Sequence, residues 1–180
     1  MLFGGVRAGR TTNRAALGVG LAAAWLIAAS WSVASETSPT DVSYDASEDH
    51  TSVGFSEVSV LTRPDAIVQL TVSCGYDGRT PSPPDQCLVI FRVRTGDEGY
   101  CQDGMYIMRV GREKSEHQFK NYGCYPDGDW FVADLFTLWP YKHLRQIAAA
   151  KRVSFEIRRL RFELDDRILA GIRDIAAHFE

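Results

Sequence analysis

The sequence lacks the short motifs that identify the common catalytic and cofactor-binding folds. It contains no G-x-S-x-G nucleophile elbow, no H-E-x-x-H helix, no P-loop and no dinucleotide-binding glycine fingerprint. No C-x-x-C pair occurs, and no histidine is spaced from a cysteine as in a zinc finger. We therefore expect no cofactor, no metal site and no catalysis in this chain.

Acidic residues are missing from the first 35 positions, which also contain a long uncharged segment. Three arginines precede an apolar run over residues 15–29. Small residues follow this run, and Ser32-Val33-Ala34 fits the cleavage motif of a signal peptidase. These features predict a secretory signal peptide over residues 1–35, with cleavage after Ala34 or Ser35.

An uncleaved signal anchor is the alternative for the same segment. The uncharged stretch over residues 15–35 is long enough to reach across a bilayer. In both cases the basic end stays on the cytoplasmic side and the remainder of the chain is exported. We therefore predict a periplasmic or secreted protein that contacts a membrane only if the N-terminal segment is retained.

Basic residues are in deficit once residues 1–35 are set aside. Lys and Arg fall from 20 to 17 while Asp and Glu stay at 23, so the formal net charge moves from −3 to −6. We expect no nucleic-acid partner, because binding to phosphates requires an excess of basic residues. Residues 36–52 contain acids but no Lys or Arg, which predicts a disordered acidic spacer. Residues 53–180 are enough for a single disulfide-stabilised domain with one core.

The four cysteines all lie in this predicted domain, at Cys74, Cys87, Cys101 and Cys124. An even number in an oxidising compartment predicts two disulfides, for which three connectivities exist. We favour Cys74–Cys87 with Cys101–Cys124, because each of these bonds would close the loop between neighbouring strands.

Apolar and polar residues alternate along most of the domain, as is typical of half-buried antiparallel strands. The clearest example is the segment AIVQLTVSC at residues 66–74. The same criterion predicts six further strands, at residues 55–62, 87–94, 105–110, 116–122, 153–157 and 160–164.

Two segments near the C-terminus have helical rather than strand periodicity. Pro140 suits the first position of a short helix, and Asp165 suits the cap of a longer one. In the longer helix, apolar residues recur at helical spacing from Ile168 to Phe179. Because this stripe must be buried against a sheet, we predict an α+β fold. It would have an antiparallel sheet of about six or seven strands, one or two packed helices and a C-terminal amphipathic helix.

Aromatic residues crowd the segment over residues 119–141, and most are expected in the core. Trp130 and Trp139 are not easily assigned to one face of one strand. Together with Tyr125 and the neighbouring Asp127 and Asp129, they are the candidate binding residues for a sugar or a protein. Pro-Asp-Gly, which contains Asp127, first of all predicts a turn.

Parts of the chain resemble small exported bacterial proteins, over roughly a third of the exported sequence. One part is the strand AIVQLTVSC, and the other is LRQIAAAKRVSFEIRRLRFELDDRILAGIRDIAAHF at residues 144–179. The second is similar to the strand–strand–helix ending of VasI-like accessory proteins of type VI secretion. It also resembles the ending of invasion-associated IalB-like proteins, where a Gly-Cys comparable to Gly123-Cys124 precedes it.

This sequence departs from both families in its long Pro-rich loop and its paired cysteines. The resemblance implies a non-enzymatic periplasmic accessory domain and assigns a role to no residue.

These observations support three functional hypotheses. The first is an exported binding or accessory module that contacts an envelope or secreted protein through its sheet face or its aromatic segment. The second is a glycan- or peptidoglycan-binding domain that uses a surface tryptophan, which requires Trp130 or Trp139 to be exposed. The third is a hydrolase with an unrecognised site, in which His117 or His143 meets an acid from a distant segment.

Overall fold

The structure is a computed structural model that describes residues 40–180. Within this range the chain forms nine strands and two α-helices. In chain order they are β1 (Asp41–Asp45), β2 (His50–Arg63), β3 (Ala66–Asp77), β4 (Gln86–Thr95), β5 (Gly104–Val110), β6 (Glu113–Asp127), β7 (Trp130–Pro140), α1 (Tyr141–Ala149), β8 (Val153–Ile157), β9 (Leu160–Glu163) and α2 (Asp166–Ala177). The predicted signal segment and residues 36–39 lie outside the described residues.

The strands form one antiparallel sheet in the order β1-β2-β3-β4-β7-β6-β5-β8-β9. Phe91 on β4 nevertheless lies with its ring centroid 5.4 Å from that of Phe155 on β8 and 6.2 Å from that of Phe162 on β9. Strands that are far apart in the sheet order therefore face each other, so the sheet curls around a shared core. We call the enclosed side of the sheet its inner face and the opposite side its outer face.

Both helices contribute to the core on the inner face. α1 buries Leu144 and Ile147, and α2 buries an apolar stripe that includes Ile168, Ile172 and Ile175. The predicted cap of α2 is confirmed, because the Asp165 carboxylate accepts a hydrogen bond from the backbone N–H of Ile168 at 2.8 Å. Pro140 lies one position earlier than predicted, as the last residue of β7 and the cap position of α1.

The α+β class is confirmed, but the sheet has nine strands where six or seven were predicted. All seven predicted strands are present, and β1 and β7 are additional. β7 was not predicted from alternation because both of its faces are apolar. Phe136 and Leu138 lie on its outer face, and Leu135 and Trp139 lie on its inner face. β1 was not predicted because it has only two apolar residues, Val42 and Tyr44, and lies in the acidic segment that was assigned as a spacer.

The predicted disordered spacer differs from the structure over residues 41–52, where β1 and the start of β2 form a hairpin. Its side chains make local polar contacts, such as the 2.8 Å hydrogen bond from the Tyr44 hydroxyl to the Asp49 carboxylate. The buried Thr51 donates a hydrogen bond from Oγ1 to the carbonyl oxygen of Gly78 at 2.6 Å. A polar, acidic composition conceals this hairpin because the pairing is made by backbone groups.

The structure pairs Cys74 with Cys87 and Cys101 with Cys124, which confirms the favoured connectivity. Cys74 and Cys87 are directly opposite on β3 and β4, with their Cα atoms 4.3 Å apart. The second bond ties a short 3-10 helix, Glu98–Cys101, to β6. Two disulfides are consistent with an oxidising, exported environment. Between residues 40 and 180 we find no helix with both the length and the apolar character needed to cross a membrane.

Candidate functional site

The two tryptophans of the aromatic segment lie on opposite faces of β7. Trp139 is fully buried on the inner face, where its ring stacks on Phe155 at a centroid distance of 5.8 Å. Its Nε1 donates a hydrogen bond to the hydroxyl oxygen of Tyr106 at 2.7 Å. Trp130 is only half-buried. Trp139 is thus a core residue, and its assignment as a surface binding residue is wrong.

The β6–β7 turn carries the other candidate residues. Asp127 pairs with Trp130 across a two-residue turn in which Gly128 has a φ of 63°, so the predicted turn is confirmed. Arg94 from β4 forms an ion pair with Asp127, with 3.0 Å between Nε and Oδ2. The same guanidinium lies 5.1 Å from the centroid of the Trp130 ring. Asp127 is therefore engaged within the protein.

A cleft of about 400 Å³ opens beside this turn, at one end of the curled sheet. The β2–β3 turn, the end of β4, the β6–β7 turn and the β8–β9 turn all border it. Asp129 and Trp130 line the cleft, whereas Tyr125 and Asp127 do not. The structure therefore brings two of the five predicted binding residues to one concave site.

The outer face of β4, β7 and β6 carries a cluster of exposed and half-buried apolar side chains. Leu88 on β4 and Leu138 on β7 are directly opposite each other and are 38% and 52% exposed. In the next outward-facing row, Ile90 is opposite Phe136. Tyr122, at the irregular point in the pairing of β6 with β7, is 81% exposed and packs edge-on against Phe136 at 6.1 Å between centroids. We call these five residues the outer patch.

A compensated row of charges borders the outer patch. Arg92 on β4 donates hydrogen bonds to both carboxylate oxygens of Asp134 on β7, at 2.8 and 3.1 Å. Arg92 also contacts the carboxylate of Glu57. The hydrogen bonds to Asp134 raise the pKa of the Arg92 guanidinium above its usual value. These three charges pair with one another, whereas the exposed Lys120 on β6 lies directly opposite Phe136 at the border of the patch.

The outer patch was only loosely anticipated, as a sheet face that contacts a partner. The available signal was the run Leu88-Val89-Ile90-Phe91, which is apolar at outward as well as inward positions. A strand with one solvated face normally alternates, so apolar residues on both faces indicate a second contact surface.

His117 and His143 meet on the inner side of the sheet, with their ring centroids 5.4 Å apart. His117 also stacks on Tyr106, and its Nε2 lies 2.8 Å from the Ser115 hydroxyl oxygen. Burial lowers the pKa of both histidines. The nearby His143 lowers the pKa of His117 further, and the nearby Lys142 lowers the pKa of His143 further.

The hydrolase hypothesis required one of these histidines to contact a carboxylate in a concave pocket. Within residues 40–180, neither ring forms an ion pair or hydrogen bond with an acid. The Ser115–His117 pair thus has no third group that orients the imidazole, as a nucleophile–base arrangement needs. The larger cavities of the described chain are lined by other residues.

Metal ligands do not cluster in the described part of the chain. Between Thr40 and Glu180, no three residues among His, Cys, Asp and Glu are grouped so that they could hold a metal ion. Of the two carboxylates that flank Gly128, Asp127 pairs with Arg94 and Asp129 lines the cleft.

Comparison with known proteins found no matching protein-family model, no matching curated protein and no matching solved structure. The similarity to VasI-like and IalB-like proteins stays a prediction from the sequence. The outer patch and the cleft are therefore the features of the described chain that bear on its function.

Proposed function

We propose that this chain is an exported binding module that docks another envelope or secreted protein on the outer patch. The observation that carries the proposal is the direct pairing of two exposed leucines, Leu88 and Leu138, on the adjacent central strands β4 and β7. Both side chains remain accessible to solvent within residues 40–180. Contiguous apolar residues exposed on a folded domain are characteristic of contact surfaces.

The chemistry of the outer patch suits a polypeptide partner. Its surface is a sheet face with two branched aliphatic side chains, Leu88 and Leu138, beside the rings of Tyr122 and Phe136. Tyrosine is enriched at the energetic centres of protein interfaces, because burying its large ring restricts few rotatable bonds and so costs little conformational entropy. The neighbouring Arg92, Glu57 and Asp134 would supply the polar rim.

The free edges of the sheet are less suited to a partner than its outer face. On β1, the backbone N–H of Val42 is occupied by a hydrogen bond to the Asp41 carboxylate at 2.9 Å. On β9, the carbonyl oxygen of Arg161 accepts a hydrogen bond from Nη2 of Arg63 at 3.4 Å. Side chains that occupy edge groups hinder the addition of another strand. This supports docking on the face.

The exported location is part of the proposal. It is supported by the two disulfides and by the predicted signal segment at residues 1–35, whether cleaved or retained.

Affinity purification of tagged variants from envelope extracts tests the proposal. Leu138→Lys places a charge in the outer patch, and Val42→Lys is the matched control, because Val42 is 51% exposed but lies on β1. We expect a specific protein to be retained by the wild type and by Val42→Lys, and its recovery to fall about tenfold with Leu138→Lys. Equal recovery with both variants would overturn the proposal.

A second copy of this chain is the competing occupant. Sedimentation at micromolar concentration should give a monomer for the wild type. A wild-type dimer that dissociates on the substitution Leu138→Lys would show that the outer patch binds a second copy of this chain and not another protein.

A further inference from the structure

The cleft beside the β6–β7 turn is distinct from the outer patch, and none of its lining residues belongs to that patch. Its volume of about 400 Å³ falls within the range of small-molecule sites. Four separate turns of the chain converge on it, at the open end of a curled sheet. Such mouths of barrel-like sheets are frequent places for ligands.

Hydrogen bonds between the turns hold the walls of the cleft in place. The Thr95 hydroxyl donates to the carbonyl oxygen of Asp65 at 3.3 Å. Arg159 from the β8–β9 turn donates from Nη2 to Oδ2 of Asp97 at 2.8 Å, and Oδ1 of Asp97 accepts from the backbone N–H of Gly99 at 2.9 Å. A site whose walls are already ordered loses little entropy when a ligand binds.

Two carboxylates at the cleft are available for a ligand. Within the described chain, the side chains of Asp65 and Asp129 form neither a hydrogen bond nor an ion pair, in contrast to Asp97. Trp130 adds an aromatic wall next to Asp129, and Arg63 adds a donor. Carboxylates accept hydrogen bonds from hydroxyl groups, and an indole ring packs against an apolar face. A sugar ring presents both features.

The charges at the cleft select among saccharides. Arg159 is neutralised by Asp97, which leaves Arg63 against the two free carboxylates of Asp65 and Asp129. This excess of negative charge disfavours an anionic sugar. The guanidinium of Arg94 lies 5.1 Å from the Trp130 ring centroid and occupies one face of the indole, so a sugar would stack on the opposite face. We propose that this cleft binds an uncharged saccharide, with Trp130 as the stacking surface and Asp129 as a hydroxyl acceptor.

Calorimetric titration of the purified protein with an uncharged N-acetylglucosamine tetramer tests this proposal. We expect Trp130→Ala to weaken binding about tenfold and Asp129→Asn to weaken it about threefold. Tyr125→Ala is the matched control, since Tyr125 is an exposed aromatic residue of the same hairpin that does not line the cleft. It should bind like the wild type.

The test has clear outcomes against the proposal. No heat of binding with millimolar tetramer would overturn it, as would equal affinity in Trp130→Ala, Asp129→Asn and the wild type. Binding of a trilysine peptide that displaces the tetramer would reassign the cleft to cationic chains. Asp129 lies in an exposed turn, so its variant keeps the test valid if Trp130→Ala fails to fold. Leu138→Lys should leave saccharide binding unchanged, which separates this proposal from docking on the outer patch.

Discussion

Trp139 and Tyr106 are joined in the interior by a 2.7 Å hydrogen bond from the indole Nε1 to the phenolic oxygen, and both side chains are fully buried. The bond links β7 to β5, which β6 separates in the sheet order. Trp139 also stacks on Phe155 of β8, so one side chain connects three strands of the curled sheet. This arrangement explains why the second tryptophan of the aromatic segment is not available to a ligand.

Removing the phenolic hydroxyl should therefore destabilise the core. We expect Tyr106→Phe to lower the free energy of unfolding by about 1–3 kcal/mol, because it leaves the buried indole N–H of Trp139 without an acceptor. Urea unfolding measures the change. Tyr44→Phe is the control, since the Tyr44 hydroxyl bonds Asp49 at the surface, and its effect should stay within about 0.5 kcal/mol. Equal stabilities of Tyr106→Phe and the wild type would contradict this role.

The Cys74–Cys87 bond should contribute mainly by restricting the unfolded chain. Its cysteines are 13 positions apart, for which the chain-entropy account gives about 3 kcal/mol. The double variant Cys74→Ala/Cys87→Ala should lose that free energy in urea unfolding. Peptide mapping without reductant should find Cys74 joined to Cys87, and a peptide that joins Cys74 to Cys101 or Cys124 would refute the connectivity.

The half-buried pair of His117 and His143 should make stability depend on pH. Because the pKa values of His117 and His143 are lowered in the folded protein, the unfolded chain binds more protons below about pH 6.5. Stability should therefore fall as the pH decreases from about 7.5 to about 5.5. Hydrogen bonds to Arg161 and Arg152 lower the pKa values of Glu156 and Glu163. Their contribution to stability is therefore lost mainly below about pH 5.

Urea unfolding across this pH range measures the effect, with the double variant His117→Gln/His143→Gln as the comparison. Its stability should change less than that of the wild type between the two pH values. If the two proteins lost stability in parallel, another group would have to be responsible.

The sequence predicted those parts of the fold that are governed by local periodicity. The alternation at residues 66–74 and the capped stripe that follows Asp165 both have the predicted structure. β7 was missed because it is apolar on both faces, and alternation reports a strand only where one face is solvated. The hairpin of β1 and β2 was missed because β1 contributes only two apolar residues, Val42 and Tyr44, within an otherwise acidic segment.

The candidate site was predictable only in part, for a related reason. Trp130 and Asp129 are adjacent in sequence, so a shared position at the surface was a local inference. Arg63, Asp65 and Arg159 reach the same cleft through the curl of the sheet, which local patterns do not reveal. The outer patch likewise arises from the register that places Leu88 opposite Leu138.

Substitutions in the outer patch should affect binding but not folding. Leu88→Lys exchanges a side chain that is already exposed to solvent, so its free energy of unfolding should stay within about 0.5 kcal/mol of the wild type. Val89→Lys provides the contrast, since Val89 is fully buried on the inner face and a lysine there should prevent folding. A large loss of stability in Leu88→Lys would show that the outer patch is covered by the chain itself.

Site-specific photo-crosslinking in living cells tests the docking claim most directly. A photoreactive residue at position 138 lies in the outer patch, and one at position 42 is equally exposed outside it. We predict a covalent adduct with one defined envelope or secreted protein from position 138, reduced about tenfold by Leu88→Lys and absent from position 42. The same adduct from both positions, or no adduct from position 138, would contradict the claim that this chain binds a protein through its outer patch.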